Sequence, residues 1–322
     1  MRTSHIRIAE NHNFPLTLYR MYKIINKRKY FYVFSGALVL LSVIALSAWG
    51  LKYGLDFTGG TLAEFSAKGG PASGWQIDEV KGALKEVGIE DAVITPTQSN
   101  SFLIRYGNSD DGKNKAVLAK MREKFPEIKN TRLDYIGPSI SSELKKKAFW
   151  ALGIAVVGIA LYIAYAFRQV SRPVGSWKYG VGAVIALVHD VLITVGIFSV
   201  LGHFLNIEVD TSFIAALLTI LGFSVHDTIV VYDRTRENLM RGGSKEEFEE
   251  TVNRSLNETM ARSINTSLTV IITLLAIFIF GGETIKNFTL ALLIGITFGT
   301  YSSIFVASAL MVDWWKYSVN SK

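Results

Sequence analysis

Six apolar runs, each long enough to cross a bilayer, dictate what this chain can fold into. They lie at about 31–50, 148–167, 179–201, 211–232, 263–281 and 288–312 of the 322 residues. A hydrocarbon core of about 30 Å takes about 20 residues of helix, and a helix pairs all its backbone polar groups without help from water. A mean hydropathy of +0.29, with 49% hydrophobic and only 19% charged residues, agrees with an α-helical polytopic membrane protein rather than a soluble domain. The chain has no cysteine, which excludes a disulfide framework, a thiolate metal site and a cysteine nucleophile.

The net charge of +7 could suggest nucleic acid, but its distribution argues against that. Basic residues gather before the first run (Arg2, Arg7, Arg20, Lys23, Lys27, Arg28, Lys29), after the second (Arg168, Arg172, Lys178) and after the fourth (Arg234, Arg236, Arg241, Lys245, Arg254). The short loop after the third run has no Lys or Arg, and the one after the fifth has only Lys286. By the positive-inside rule both termini are cytoplasmic and the insert between the first two runs is external. The expected layout is a cytoplasmic segment 1–30, a first span 31–50, an external domain 51–147, spans two to six over 148–312 with a cytoplasmic loop at 233–262, and a cytoplasmic tail 313–322. Ala45-Leu46-Ser47-Ala48 loosely resembles a signal-peptide cleavage site. The run is too long for a signal core and about thirty polar residues precede it, so it reads as a retained anchor.

Within the insert the periodicity changes. Leu62–Ser66 alternates like a strand, and Gln76–Val87 has helical spacing with Ile77, Val80, Leu84 and Val87 on one side. Ala92–Thr95 and Ser101–Tyr106 read as a strand pair joined by a polar turn at Pro96–Asn100, Lys115–Phe125 as a helix ended by Pro126, and Thr131–Ile136 as a last strand. The order β-α-β-β-α-β predicts a ferredoxin-like domain. It carries no catalytic constellation. The glycine-containing runs that bracket it, with Gly54, Gly59 and Gly60 before and Gly137 and Pro138 after, read as hinges; no lysine follows Gly59-Gly60 at phosphate-loop spacing.

Ionisable residues inside the spans mark the candidate site. Asp227 lies in the run Thr211–Tyr232, with no cation three or four residues away on either side. A carboxylate there costs about 2.5–3.5 kcal/mol, so protonation, a partner or a wet cavity must compensate. The triplet Val-His-Asp occurs twice, placing His189 and Asp190 in the third span and His226 beside Asp227. These secondary polar candidates either exchange protons or serve as structural glue between helices. On the fifth span Arg262, Thr266, Thr269 and Thr273 recur at helical spacing, a polar stripe whose Arg262 either pairs with Asp227 or snorkels to the headgroups. Ser244–Glu247 resembles a capping box, predicting one helix from about 245 through that span. Gly295, Gly299 and Ser303 form a small-residue packing face on the sixth.

The runs GLDFTGGT (54–61), GPSISSEL (137–144), VHDVLIT (188–194), GFSVHDTIVVYDRTREN (222–238) and the segments 253–269 and 295–307 together resemble the SecD/SecF family of the resistance-nodulation-division superfamily, and within it the smaller, SecF-type member. That resemblance implies a six-span subunit that works with a SecD-like partner beside the SecYEG translocon. There it would use the proton motive force to promote late steps of preprotein translocation across the bacterial cytoplasmic membrane. It implies Asp227 as the proton carrier with Arg262 and Thr266 as neighbours, and His226 stands where many relatives have Asn. No cofactor or metal is expected; the coupling ion is H+, with Na+ an open alternative. Competing readings are a structural accessory subunit that conducts no ions, or a half-transporter of lipids or drugs. An enzyme has no nucleophile, metal-ligand or cofactor pattern to stand on.

Overall fold

The six apolar runs become six long helices in the computed structural model, which describes residues 22–67, 77–96, 101–107, 110–126, 128–168, 174–242 and 247–320. Arg2, Arg7, Arg20, Arg172, Lys245, Gln76, the turn residues 97–100 and the capping residues Ser244–Glu246 lie outside that set. The candidate spans run Ile25–Trp49, Pro138–Ala166, Ser176–Leu205, Thr211–Arg241, Phe248–Phe280 and Thr284–Val319. Most extend beyond their apolar run because helix continues where hydrophobicity stops.

Helix α1 (Arg28–Trp49) follows a short 3-10 turn and ends at Gly50, whose φ of 65° suits a residue without Cβ. After a short helix α2 (Leu55–Thr58) comes the domain: β1 (Gly60–Ala67), α3 (Ile77–Glu86), β2 (Val93–Pro96), β3 (Ser101–Tyr106), α4 (Asp111–Lys124) and β4 (Ile128–Ile136). All pairings are antiparallel in the order β2-β3-β1-β4, and the succession of elements matches the sequence expectation. Period-two patterning sends Ala63 and Phe65 inward against Val80, Leu84, Val117 and Met121. Helix α4 begins four residues earlier than expected, because the Asp110 carboxylate caps it by accepting from Lys113 N at 2.7 Å.

The membrane bundle comprises α5 (Pro138–Ala166), α6 (Ser176–Leu205), α7 (Thr211–Gly242), α8 (Phe248–Phe280), α9 (Glu283–Ser302), a π-helical turn Ser303–Ala307 and α10 (Ser308–Asn320). Its core gathers Tyr179, Leu187, Leu221, Tyr232 and Met311 toward one end and Phe198, Phe213, Ile220 and Ile296 toward the other. Small residues permit close helix approach, as the sequence predicted for α9: a Cβ on Gly295 would collide with the Ile220 side chain, and one on Gly299 would lie 3.0 Å from Ser224 Cβ. Likewise Gly196 sits against Ser42 of α1.

Two segments expected outside the spans prove largely helical, the first in part as predicted, since α8 starts at Phe248 close to the helix expected from about 245. The stretch 233–262 is mostly the ends of α7 and α8, held side by side by Arg234–Glu258 at 2.5 Å and Asn238 Nδ2 donating to Ser255 Oγ at 2.9 Å. The tail from 313 continues α10, where Asp313 accepts from Arg28 Nε at 2.7 Å and from Tyr32 OH at 2.7 Å. Polar side chains supply there what hydrophobicity supplies inside the spans.

Candidate intramembrane functional site

The domain is fastened to the bundle through the loop between α6 and α7. Gly54 N donates to Val209 O at 2.7 Å, and Val209 N donates to Lys52 O at 2.8 Å. The Asp56 carboxylate accepts from Thr211 N at 2.8 Å and from the Thr211 hydroxyl, so it caps α7 from outside that helix. Arg105 on β3 forms an ion pair with Glu208 of the same loop. Burial pushes the Glu208 carboxyl above its ordinary range, against the opposing pull of Arg105. The runs expected as hinges are well anchored. Gly59 and Gly60 have φ of 73° and 124°, and a Cβ on Gly60 would lie 2.5 Å from Tyr106 O, so only glycine fits there. Pro138 is the first residue of α5 and Gly137 its N-cap, making the exit from the domain a continuous helix.

The two intramembrane acids have unlike surroundings. Asp190 of α6 is fully buried. Its Oδ1 meets His189 Nδ1 at 2.9 Å, and its Oδ2 accepts from Ser224 Oγ of α7 at 2.6 Å and Ser302 Oγ of α9 at 2.8 Å. Three helices therefore converge on one carboxylate. Asp227 of α7 is 5% exposed. Its Oδ2 accepts from Ser267 Oγ of α8, long at 3.3 Å, with the hydroxyls of Ser263 on α8 and Thr300 on α9 also against the carboxylate; Thr300 Oγ1 lies 2.6 Å from that Ser267 Oγ. No cation pairs with Asp227 among the described residues.

Arg262 and Thr266 do not face Asp227 within this chain; both are exposed. Successive helix residues point about 100° apart. The stripe turned inward is instead Ser255, Thr259, Ser263 and Ser267, all buried and four residues apart. Ser263 Oγ completes no hydrogen bond among the described residues. The outward stripe keeps Arg262, Thr266, Thr269 and Thr273 exposed, and two of its threonines bond to the helix backbone, Thr269 Oγ1 donating to Thr266 O at 2.7 Å and Thr273 Oγ1 to Thr269 O at 3.0 Å. His226 is exposed where its neighbour Asp227 is buried. The sequence reading missed Ser224, Ser267, Thr300 and Ser302. For Ser267 the signal was a second stripe of hydroxyls on α8, one residue out of phase with the stripe it selected; nothing in the sequence singled out the other three.

Residues 116–317 match the family described as protein export membrane protein SecD/SecF, C-terminal, and residues 44–70 match the SecD/SecF GG motif. The chain belongs to the SecD/SecF family. Among SecD/SecF proteins it is 43% identical over 306 residues to the protein translocase subunit SecF of Thermobaculum terrenum, covering 91% of this chain and 94% of that one. It is 35% identical to that of Haemophilus influenzae, covering 93% and 86%. The crystal structure of SecDF from Thermus thermophilus, described as a translocon-associated membrane protein, superposes with a TM-score of 0.78 at 33% identity over 92% of this chain. A SecDF structure in a super-membrane-facing form gives 0.66 at 34% identity. This chain spans about two-fifths of the length of those SecDF chains, 39% and 40%. With relatives that are translocase subunits, the chain is a multi-pass membrane protein of the protein-export machinery.

Proposed function

We propose that this chain is the ion-driven SecF-type subunit of the Sec export machinery in the bacterial cytoplasmic membrane, coupling movement of H+ through Asp227 to late preprotein translocation. Both termini lie inside, and the ferredoxin-like domain lies outside, within reach of preprotein emerging from SecYEG. The observation that carries this reading is Asp227 itself: a carboxylate 5% exposed, with no cation paired to it among the described residues and only hydroxyls beside it, Ser267 Oγ bonding at a long 3.3 Å. A charge so poorly solvated exists at a cost of several kcal/mol, and protonation removes that cost. The residue therefore has two states of different charge and different demands on α8.

The exposed stripe Arg262–Thr273 supports a SecD-like partner. Polar side chains within a span turn toward protein or water rather than lipid, and this chain corresponds to about two-fifths of SecDF. The partner would complete the site by facing Arg262, Thr266 and His226. Protonation of Asp227 loosens its hold on α8, and release of the proton restores it. The shift reaches the outside through α7, whose first residue Thr211 is capped by Asp56 of the domain segment, and through the Arg105–Glu208 pair. Gly59 and Gly60 hold the tight turn that ties this segment to β1 at the domain entrance. A motive force of about 150 mV gives about 3.5 kcal/mol per charge, enough to shift a two-state equilibrium a few hundredfold.

The test is preprotein translocation into vesicles holding the chain with its SecD-like partner, under an imposed H+ or Na+ gradient. We expect the H+ gradient to stimulate the wild type and Asp227→Asn to lose that stimulation. Equal stimulation of both proteins would assign the chain a structural role; stimulation by the Na+ gradient alone would reassign the ion.

A further inference from the structure

Two adjoining cavities form one groove on the side of the bundle where α1 and α8 both lean on the α9–π-turn segment. The first, about 270 Å³, is lined by Lys23, Lys27, Phe31, Met260 and Phe305. The second, about 220 Å³, is lined by Ile264, Leu268, Ile271, Thr300 and Tyr301, with Ser267 at its wall, and shares Phe305 with the first. From Met260 to Ile271 the groove follows α8 for about 16 Å. Half the hydrocarbon core is about 15 Å. Its walls are mostly apolar along that length, with the hydroxyl residues Ser267, Thr297 and Thr300 in the wall of the second cavity, and its charged mouth is at one end only.

The mouth is built rather than incidental. Lys23 lies on a backbone that α8 grips with two asparagines one turn apart. Tyr22 N donates to Asn257 Oδ1 at 2.8 Å and Ile24 N to Asn253 Oδ1 at 2.8 Å, while Tyr22 O accepts from Asn253 Nδ2 at 3.0 Å and Asn257 Nδ2 at 2.9 Å. Lys27 follows four residues later, at the end of the turn that leads into α1. Both lysines are exposed, and no carboxylate pairs with either among the described residues. Nearby acids are already engaged: Glu249 and Asp313 hold Arg28, and Glu249 also holds Lys316.

We propose that this groove binds one acidic phospholipid, its phosphate between Lys23 and Lys27 and one acyl chain laid along α8 toward Ser267 and Thr300. The two ammonium groups match the phosphate, and the apolar length matches one leaflet. A zwitterionic lipid would fit the walls and gain less at the mouth. The far end of the acyl chain packs on the hydroxyls that hold Asp227, so the lipid closes that side of the acid against water from the Lys23 end.

The experiment purifies the full chain from nanodiscs of mixed phosphatidylglycerol and phosphatidylcholine and counts retained lipids by native mass spectrometry. We expect one phosphatidylglycerol held by the wild type and by Lys29→Gln, whose lysine is exposed outside the groove. Retention should fall about thirtyfold in Lys23→Gln/Lys27→Gln, at about fivefold per lysine near a membrane surface. Ile264→Trp, which fills the groove while keeping both lysines, should also release the lipid. Equal retention of the two lipids, indifference to the lysine pair, or retention undiminished by Ile264→Trp would overturn the proposal. So would loss of the lipid when the SecD-like partner is co-purified, which would give the groove to a partner helix.

Discussion

Asp190 and Asp227 are acids of the same kind, in neighbouring helices of one bundle, and their surroundings differ. Asp190 has its two oxygens bonded by His189, Ser224 and Ser302 at 2.6–2.9 Å; Asp227 has Ser267 at 3.3 Å. A fully bonded buried carboxylate ties elements together, because moving any of the three helices strands a donor. An under-bonded one at the edge of the chain's own bundle is the acid to which we assign the change of charge. The π-helical turn Ser303–Ala307 sits directly after the segment that serves both, with Thr300 on the Asp227 side and Ser302 on the Asp190 side. Turns of this kind recur at functional positions in helices.

The sharpest way to break this division is a pair of substitutions read by two assays. Asp227→Asn should abolish gradient-stimulated translocation while leaving thermal stability in detergent within about 0.5 kcal/mol, as for a change that removes no strong contact. Asp190→Ala should do the opposite first, costing about 3 kcal/mol of stability by leaving His189 and Ser224 without their acceptor, while Ser302 falls back on Gly299 O. A large loss of stability in the first protein, or none in the second, would reverse the assignment of strut and switch.

A smaller effect separates the membrane acids from the acid at the domain latch. Arg105→Ala leaves Glu208 half-buried without its counter-charge and should cost about 2 kcal/mol, measured as earlier release of the domain in limited proteolysis. Glu208→Gln should cost less, since burial already disfavours that charge. The sign in pH follows. The folded chain binds the Glu208 proton more tightly than the unfolded chain, whose ordinary value is 4.5. This group's contribution is therefore complete below that value and is lost as pH rises through the elevated folded pKa. The stability of wild type relative to Glu208→Gln should fall with rising pH over that window, by well under about 1.4 kcal/mol for each pH unit crossed. A difference that grew with pH would mean that Arg105 outweighs burial.

Much of this architecture was legible before any coordinates, and the legible part is the periodic part. Six apolar runs required six helices, and alternation at Leu62–Ser66 gave β1 with Ala63 and Phe65 inward. Gly295 and Gly299 announced a tight contact, which proved to be with Ile220 and Ser224. Helix ends in polar sequence were harder to read. Within 233–262 the helix expected from about 245 is α8, but the extension of α7 to Gly242 was not expected; it folds because Arg234, Asn238, Ser255 and Glu258 bond across the two helices. The asparagines of α8 that grip Tyr22 lie more than 200 residues away in sequence, and nothing in either segment pointed to the other.

The sequence alone determined that Asp227 lies in a span without a local cation and that α8 carries polar residues along its length. It could not determine which polar residues meet. Arg262/Thr266 and Ser263/Ser267 are one residue apart, hence about 100° around the same helix, and both stripes have helical periodicity. Only the packing of α8 against α7 and α9 fixes its rotation, turning Ser263 and Ser267 inward and leaving Arg262 and Thr266 outside. The rotation of a helix is a property of its neighbours' side chains, and those are brought together by the fold rather than by the segment itself.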